Sequence, residues 1–307
     1  MDNTARPLRQ KKQKPVKRNA GLGFFWAALF ILVFTLLYSF TEILPSRTGL
    51  SPAQDEIFVS FIDVGQGDSI LIRSAGNAVL IDGGEHRHRH RVIQYIREAD
   101  ITKLDIVVAT HPHSDHIGSF PTVLSLFDVG LVAMPDVTHN TETFANFLEA
   151  ITNNDLDVVF PLTGDVFQAG IIHLEVLSPS FVSDDINNSS IVLRLSHGGT
   201  SFVFTGDAER EAEEIMLASG LDISADVLKV GHHGSRTSTT QRFLEAVSPR
   251  FAVITVGANN PFGHPHLDVV NRLHDAGTEI FRTDVHGNIL MSTDGKEITI
   301  HVGSGPN

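Results

Sequence analysis

The chain has 307 residues, a formal net charge of -13 and no cysteine. The lack of cysteine excludes disulfides and thiolate metal ligands. Residues 1–20 hold seven of the 23 basic residues, which leaves 16 basic against 35 acidic residues in the remainder and argues against a broad basic surface for sequence-independent nucleic-acid binding.

The first predicted element is a membrane anchor. Residues 21–40 carry no charge, and twenty such residues match one crossing of the bilayer core. A cleaved signal peptide is the alternative, but its apolar core is usually shorter, and no small-residue cleavage site follows Phe40. Because the basic arm precedes the span, the positive-inside rule predicts a single-pass protein of the cell membrane with a cytoplasmic N-terminus and an extracytoplasmic remainder.

A linker and one globular domain are expected after the anchor. Residues 41–56 contain two prolines and a glycine, which is typical of a short linker. Residues 57–302 have the size of one α/β domain and show no repeat at a solenoid period. Strand-rich stretches with interspersed helices predict two packed sheets with helices on the outside.

Apolar periodicity and glycine turns predict the elements of this domain in chain order. Strands are expected at 57–64, 68–74, 77–82, 105–109, 131–134, 157–160, 172–177, 191–196, 201–205, 226–230, 251–256, 279–282, 287–292 and 297–302. Helices are expected at 86–98, 117–127, 142–151, 208–219, 239–247 and 267–276.

The stretch between the fourth predicted strand and the second predicted helix is the most informative. It places His111, His113, Asp115 and His116 within six residues, which neither a buried strand nor an amphipathic helix face accommodates. Imidazoles and carboxylates at the carboxyl end of a strand suit divalent first-row metals. We expect His111 and His113 to bind one ion, and Asp115 and His116 a second. A solvated histidine-rich loop is the alternative.

Other predicted strands also end in polar residues. Asp82 and Asp207 each lie beside a glycine at the end of an apolar strand, where a carboxylate can bridge two ions about 3.5–4 Å apart. His232 and His233 follow a further strand. The repetition of metal-type ligands at strand ends favours a metal site over solvated turns, whereas the polar loop 259–265 is equally compatible with a simple turn.

Taken in order, these motifs resemble the metallo-β-lactamase fold superfamily. Its H-x-H-x-D-H signature is matched from His111 to His116, its upstream aspartate by Asp82 and its bridging aspartate by Asp207. The resemblance covers residues 57–302. It implies an α/β fold of the αββα type, in which two mixed sheets pack together with helices outside, here preceded by the predicted transmembrane helix.

A finer resemblance is to the extracytoplasmic hydrolase domain of the ComEC family of DNA-uptake proteins. It rests on F-x-D-V-G-Q-G-D-S (61–69), I-D-G-G (81–84), H-x-H-x-D-H (111–116), N-N-x-S (187–190), T-G-D (205–207), L-K-V-x-H-H-G-S (228–235) and G-H-P (263–265). Asn187 and Asn188 stand where most superfamily hydrolases have a histidine ligand. One ion is therefore expected to be under-ligated or to complete its shell with water.

The resemblance implies two divalent metal ions, and an all-N/O ligand set is compatible with both Zn²⁺ and Mn²⁺. The expected ligands are His111, His113 and Asp207 for the first ion, and Asp115, His116, Asp207 and His233 for the second. His233 is preferred to His232 because H-x-S is the usual spacing in related phosphodiesterases.

The resemblance also implies residues that act beside the ligands. They are Asp115, Lys229, His232 and His264 as catalytic residues, Asn188 and Ser235 as substrate contacts, and Asp82 as the partner of a ligand histidine. Lys229 is expected to offset negative charge on the phosphoryl oxygens. His232 or His264 is expected to protonate the leaving oxygen.

The expected function is that of a membrane-anchored, metal-dependent phosphodiesterase or nuclease acting on DNA outside the membrane. One alternative is a hydrolase of another phosphoester, such as a phosphocholine or an envelope polymer. The other is a non-catalytic partner of a DNA-uptake machine. A single membrane helix cannot form a DNA channel, so DNA transport by this chain alone is not expected. The oligomeric state is left open.

Overall fold

The computed structural model describes residues 53–179 and 183–303. The predicted anchor at residues 21–40, and most of the predicted linker, lie outside the described residues. Within the described part, none of the helices has the length and apolar character needed to cross a membrane.

The described residues form seventeen strands, and the site is built on their ends. The strands are β1 (Ile57–Phe61), β2 (Ile70–Ser74), β3 (Asn77–Ile81), β4 (Lys103–Leu104), β5 (Ile106–Val108), β6 (Asp128–Val129), β7 (Val132–Ala133), β8 (Val158–Val159), β9 (Val166–Ala169), β10 (Ile172–Ser178), β11 (Val192–His197), β12 (Thr200–Phe204), β13 (Val227–Lys229), β14 (Phe251–Ile254), β15 (Glu279–Arg282), β16 (Ile289–Thr293) and β17 (Ile298–Val302).

Eight α-helices lie among the described residues. They are α1 (Arg89–Glu98), α2 (Ser114–Ile117), α3 (Phe120–Leu126), α4 (Glu142–Asn153), α5 (Arg210–Ala218), α6 (Gln241–Val247), α7 (Leu267–Asp275) and α8 (Thr283–His286). Three short 3₁₀ helices occur at His86–His88, Ile186–Ser189 and Gly231–Gly234.

Both large sheets are mixed. The first has the order β17-β16-β1-β2-β3-β5-β7-β8, antiparallel from β17 to β3 and parallel from β3 to β8. The second has the order β15-β14-β13-β12-β11-β10-β9, parallel from β15 to β12 and antiparallel from β12 to β9. Each sheet therefore has a parallel half, and the strand ends of these halves carry the candidate site.

The apolar residues form three layers. The inner faces of the two sheets pack on each other, with the rings of Phe61 on β1 and Phe204 on β12 having centroids 6.2 Å apart. Helices α1, α3 and α4 cover the outer face of the first sheet, and α5, α6 and α7 cover that of the second. The order helix, sheet, sheet, helix confirms the predicted α/β sandwich of two mixed sheets.

Strand β5 shows why an unbroken apolar run was predicted before the metal-type motif. Ile106 and Val108 face the core between the sheets, whereas Val107 faces the core beneath the helices. A strand buried on both faces has no polar alternation. The chain leaves the sheet at the carboxyl end of β5. Thr110 and the residues after it are therefore available to form a site.

The single helix expected at 117–127 is wrong in its bounds. Two helices occur instead, since α2 begins at Ser114 and ends at Ile117 and α3 begins at Phe120. Pro121 fits the first turn of α3 because its missing N–H has no helical partner there. The short strands β4, β6 and β9 were not predicted, since two to four residues give little periodic signal.

Candidate metal centre

The candidate site lies where the parallel halves of the two sheets end. Asp82 follows β3 and His111 follows β5 in the first sheet. Asp207 follows β12 and His233 follows β13 in the second sheet. All four side chains are buried. The fold thereby brings Asp82 and Asp207 to one site, although they are 125 positions apart along the chain.

Helix α2 presents two of the predicted ligands. His113 is its N-cap in extended conformation, and its carbonyl accepts hydrogen bonds from the N–H groups of His116 and Ile117 at 3.1 Å. The first loop packs directly on this turn, because Asp68 N–H donates to the Asp115 carbonyl at 3.2 Å. A Cβ atom on Gly67 would collide with that carbonyl, so this approach requires glycine.

Four predicted ligands form a compact group. The ligand atoms of Asp115, His116, Asp207 and His233 all lie within 4.8 Å of one another. His116 Nε2 is 3.3 Å from Asp207 Oδ2. His233 Nε2 is 3.3 Å from Asp115 Oδ2 and 3.5 Å from Asp207 Oδ1. This group is the set that sequence reasoning assigned to a single ion.

Several atoms that face the centre are buried without a hydrogen-bond partner. Among the described residues these include His116 Nε2, His233 Nε2 and Asp207 Oδ1. An unsatisfied buried polar atom costs about 1–3 kcal/mol, so several such atoms converging on one point need a further partner. Imidazole nitrogens and carboxylate oxygens are donors for divalent metals, so the residues fit a metal ion.

The Nδ1 atoms of His116 and His233 are each held by an oxygen atom. His116 Nδ1 lies 2.8 Å from Asp82 Oδ2, and His233 Nδ1 donates to the Thr255 carbonyl at 2.9 Å. Asp82 also accepts hydrogen bonds from the N–H of Thr110 at 2.8 Å and from its hydroxyl at 2.7 Å. Such partners fix the tautomer and the ring orientation of a ligand histidine.

His111 and His113 form a second group of donors beside the first. His111 Nε2 lies 3.0 Å from His113 Nδ1 and 3.8 Å from Asp207 Oδ2. Asp207 Oδ2 thus lies near both His111 and His116, whereas Oδ1 lies towards His233. His111 is fully buried, while His113 is half-buried and faces the opening.

The charges of these buried groups depend on one another. Burial would raise the pKa of Asp207, but the imidazoles of His233 and His116 hold it well below its ordinary value. Burial would lower the pKa of His116 and His233, but the carboxylates around them, chiefly Asp207, raise both well above the ordinary value. Burial and His116 lower the pKa of His111. Because metal ligands must be deprotonated, His111 is ready to bind at neutral pH, and a cation would displace protons from the other two.

Lys229 does not lie where sequence reasoning expected it. Its side chain is fully buried, and its ammonium forms an ion pair with Asp68 and donates to the Gly206 carbonyl at 2.7 Å. The ammonium is 3.9 Å from Asp207 Oδ1. Lys229 therefore lies beneath the Asp207 carboxylate, so its ammonium has no direct access to a substrate, and its effect on charge at the phosphoryl oxygens stays a prediction.

Sequence reasoning gave no role to Asp68. It is buried, accepts a hydrogen bond from the Thr255 hydroxyl, and has Oδ1 3.3 Å from His233 Nδ1. Burial would raise its pKa, but Lys229 and His233 lower it below its ordinary value. Asp68 therefore connects the buried lysine with a ligand histidine. The signal was its place in F-x-D-V-G-Q-G-D-S, a motif quoted only for its family likeness.

Glu209 was also missed. Its Oε1 lies 2.8 Å from His232 Nδ1, and His232 Nε2 lies 3.7 Å from Asp207 Oδ2. Both His232 and His233 have left-handed backbone conformations, with φ of 47° and 53°. Such conformations cost roughly 1–3 kcal/mol each at non-glycine residues, and they turn both imidazoles towards Asp207. The position of Glu209, two residues after Asp207, was the available signal.

The two predicted substrate contacts are occupied by structural hydrogen bonds. Asn188 is buried, and its Oδ1 accepts from the N–H groups of Glu209 and Ala212 at 3.0 and 3.2 Å. Ser235 is buried, and its hydroxyl bonds to the Thr237 hydroxyl at 2.8 Å. These polar atoms support the start of α5 and a turn, and contact of Asn188 or Ser235 with a substrate stays a prediction.

The loop 259–265 belongs to the rim of the site. Asn260 holds it by donating to the His264 carbonyl at 2.6 Å and accepting from the His264 N–H at 3.0 Å. The His264 ring lies 5.5 Å from that of His232, and burial together with His233 and His232 lowers the pKa of His264 to about 4. Phe262, which is 60% exposed, lies with its ring 5.7 Å from that of His264.

A family model described as the metallo-beta-lactamase superfamily matches residues 62–257 of this chain. ComE operon protein 3 of Bacillus subtilis is 34% identical over 250 residues, which cover 75% of this chain and 32% of that protein. Competence protein ComA of Neisseria gonorrhoeae is 30% identical over 282 residues, which cover 85% of this chain and 38% of that protein. The chain thus spans about a third of the length of these relatives.

Among solved structures, the metallo-beta-lactamase fold protein YhfI from Bacillus subtilis matches with a TM-score of 0.53 at 12% identity, covering 77% of this chain and 100% of that chain. At this identity the likeness concerns the fold. The family match, the αββα sandwich and the His/Asp cluster for divalent metal agree with one another. The chain belongs to the metallo-beta-lactamase superfamily, as a metal-dependent hydrolase that resembles ComEC-family proteins.

Proposed function

We propose that the chain is a membrane-anchored phosphodiesterase that cleaves single-stranded DNA outside the membrane. The metal dependence of this activity is supported by the buried atoms around Asp207 that have no hydrogen-bond partner. This set of atoms fits divalent ions. The choice of DNA is supported by the resemblance to DNA-uptake proteins and by the rim of the site. Residues 21–40 would supply the anchor, with a DNA-uptake machine as a partner of the domain.

Two divalent ions, Zn²⁺ or Mn²⁺, are proposed for this centre. Asp115, His116 and His233 would hold one and His111 and His113 the other, with Asp207 shared between them because its carboxylate lies beside imidazoles of both groups, 3.3 Å from His116 Nε2 and 3.8 Å from His111 Nε2. When bound, the ions supply a water of lowered pKa and offset charge on the phosphoryl oxygens. Asp82 keeps the His116 ring aimed at the centre through Nδ1.

His264 is placed to assist the leaving oxygen. Its pKa of about 4 leaves the imidazole neutral at pH 7, so it serves as a hydrogen-bond donor better than as a charged acid. Its Nδ1 atom is buried and has no hydrogen-bond partner among the described residues. The ring is half-buried and lies beside that of His232, with the centroids 5.5 Å apart, so a substrate that enters there would meet its exposed edge.

Phe262 favours a single-stranded nucleic acid over a small phosphoester. Its ring is 60% exposed at the rim and stacks near His264 at an interplanar angle of 27°. Exposed aromatic rings beside a catalytic centre bind unpaired bases by stacking, whatever the base sequence. Bases in a duplex are already stacked, so this contact selects single strands.

One observation favours a second candidate, the hydrolysis of another phosphoester such as a phosphocholine or an envelope polymer. Beyond residue 20 the chain has 16 basic and 35 acidic residues, and this charge opposes binding of a polyanion. High ionic strength would weaken that repulsion, since charges more than about 10 Å apart are screened at 0.1 M salt.

A substrate panel tests the proposal. The chain, purified in detergent and supplied with Mn²⁺ or Zn²⁺, is assayed on single-stranded DNA, duplex DNA, bis(p-nitrophenyl) phosphate, a phosphocholine ester and a β-lactam. We expect cleavage of single-stranded DNA and of the small phosphodiester, and no β-lactam hydrolysis. Cleavage of the phosphocholine ester without cleavage of any nucleic acid would transfer the assignment to the second candidate.

A further inference from the structure

We infer that His232, held by Glu209, is a metal ligand that completes the donor group of His111 and His113. This inference rests on the metal centre of the proposed function, but it concerns ion binding and not the substrate. It differs from the sequence-based expectation, in which His232 was a candidate proton donor and His233 alone was a ligand.

The first support is a contact pattern that His232 shares with His111, His116 and His233, three of the four predicted ligand histidines. In each, Nε2 faces the Asp207 carboxylate, while Nδ1 contacts an oxygen that fixes the ring. The Nδ1 contacts are His111 with Thr110 Oγ1 at 3.1 Å, His116 with Asp82 Oδ2 at 2.8 Å, His232 with Glu209 Oε1 at 2.8 Å, and His233 with the Thr255 carbonyl at 2.9 Å. Ligand histidines commonly have this arrangement, with the second ring nitrogen tied to a carboxylate or carbonyl.

The second support is the spacing around Asp207 Oδ2. His111 Nε2 lies 3.8 Å and His232 Nε2 3.7 Å from this oxygen, so neither imidazole forms a hydrogen bond with it. Ligand bonds of about 2.1 Å in tetrahedral geometry hold two donor atoms roughly 3.4 Å apart. The separations of His232 and His111 from the oxygen are therefore close to those of atoms that share an ion, as is the 3.3 Å separation of His116 Nε2 from the same oxygen.

The third support is the network that holds Glu209. Its Oε1 accepts from the Thr237 hydroxyl at 2.8 Å and from Asn187 Nδ2 at 3.4 Å, and its N–H donates to Asn188 Oδ1 at 3.0 Å. These hydrogen bonds fix the Glu209 carboxylate against His232 Nδ1, as the partner of a ligand imidazole needs to be.

Residues 187–190 carry two asparagines where most superfamily hydrolases have a histidine ligand. In this arrangement they help to position His232 and His111. Asn187 Nδ2 and Asn188 Oδ1 contact Glu209, which positions His232. Ser190 of the same segment lies 3.4 Å from His111 Nδ1 and accepts from the Asp207 N–H at 3.2 Å. His232, in the loop after β13, would thereby supply the ligand that was expected to be missing from one ion.

The test measures ion binding by the full chain in detergent. Mn²⁺ and Zn²⁺ per chain are determined by elemental analysis, and their affinities by competition with a chromophoric chelator, for the wild type, His232→Ala and Glu209→Gln. His264→Ala is the matched control, since it removes the imidazole beside His232. The spectrum of the Co²⁺-loaded protein reports the ligand shell independently of activity.

We expect His232→Ala to lose one ion or to bind it at least 10-fold more weakly, while the other ion is retained. Glu209→Gln, which keeps the side-chain shape, should weaken the same ion about 10- to 100-fold. Both changes should alter the Co²⁺ spectrum, and His264→Ala should alter neither spectrum nor ion content. Full ion content and wild-type affinity in both His232→Ala and Glu209→Gln would overturn the inference, and slowed turnover alone would then mark His232 as a proton donor.

These outcomes are separable from those of the substrate panel. A wild type that binds two ions, of which one depends on His232, supports the inference even when no DNA is cleaved. A wild type that cleaves DNA and binds both ions in the absence of His232 refutes the inference and leaves the proposed function standing.

Discussion

Replacing Lys229 by methionine tests the buried ion pair beneath the metal centre. The change keeps the apolar stem but removes the ammonium, which contacts Asp68, the Gly206 carbonyl and, at 3.9 Å, Asp207 Oδ1. Asp68 is 1% exposed, so its carboxylate would stay buried without its lysine partner. Removing one member of a buried pair typically lowers the free energy of unfolding by about 3–5 kcal/mol.

The assay is urea unfolding of a fragment that begins at residue 50, with a chelator present so that bound metal does not contribute. Lys229→Met should lose about 3–5 kcal/mol. Lys229→Met combined with Asp68→Asn should lose less than the two single changes added together, with a coupling of about 0.5–3 kcal/mol. Lys103→Met is the matched control, because the Lys103 side chain is 54% exposed in its pair with Asp105 and such a pair contributes about 0–1 kcal/mol.

Two results would refute this reasoning about Lys229. One is a loss of less than about 1 kcal/mol, since a surface pair gives that value. The other is additivity of the single changes at Lys229 and Asp68. If the variant were as stable as wild type but cleaved its substrate about 100-fold more slowly with full ion content, the role expected from the sequence, in which Lys229 offsets charge on the phosphoryl oxygens, would be supported instead.

Four further outcomes are expected. Asp207→Ala should lose both ions and all activity, and His111→Ala mainly one ion, as measured by elemental analysis; full ion content in the Asp207 variant would exclude its bridging role. Phe262→Ala should lower kcat/KM for single-stranded DNA roughly 5- to 150-fold, from about 1–3 kcal/mol of stacking per base, and leave bis(p-nitrophenyl) phosphate unaffected; equal losses on both substrates would contradict stacking. Removal of metal held at 100 times its Kd should cost about 2.7 kcal/mol and lower the Tm by roughly 5–10 °C in a thermal scan, and an unchanged Tm would argue against a structural contribution of the ions. Protease added to intact cells should digest the domain and spare a cytoplasmic marker, whereas protection of the domain would reject the proposed topology.

The ligand group was accessible from the sequence because its information is local. His111, His113, Asp115 and His116 lie in one motif, and Asp207 and His233 follow apolar strands. Carboxyl ends of parallel strands meet at one edge of a sheet, so separate motifs of this kind converge without knowledge of the detailed packing. The two packed sheets were predicted from a different signal, the strand-rich stretches with interspersed helices.

The position of Lys229 depends on packing and was misread, although one local signal existed. Side chains alternate along a strand, so Lys229 shares the face of Val227, and Val227 lies in the core between the sheets. A lysine on that face needs a buried partner, and its partner Asp68 is 161 residues away. Nothing in the local sequence identifies that partner.

Asn188 and Glu209 show a second limit of the sequence. An asparagine before a strand can bind a substrate, bind an ion or cap a helix, and these uses have the same local pattern. The choice depends on the N–H groups of Glu209 and Ala212, which reach Asn188 Oδ1 only in the folded chain. The break between α2 and α3 is similar, because the pattern from 117 to 127 is apolar on one side throughout.

The most direct test of the account is cleavage of a labelled single-stranded oligonucleotide by the full chain, first stripped of metal by a chelator and then titrated with Mn²⁺ or Zn²⁺. Asp207→Asn, which keeps the shape of the side chain and removes its charge, is measured beside the wild type. We expect no cleavage before metal is added and cleavage that rises with the concentration of one of the two ions. We expect no cleavage by the Asp207→Asn variant. Absence of cleavage by the wild type with either ion, or equal cleavage by wild type and variant, would contradict a metal-dependent phosphodiesterase centred on Asp207.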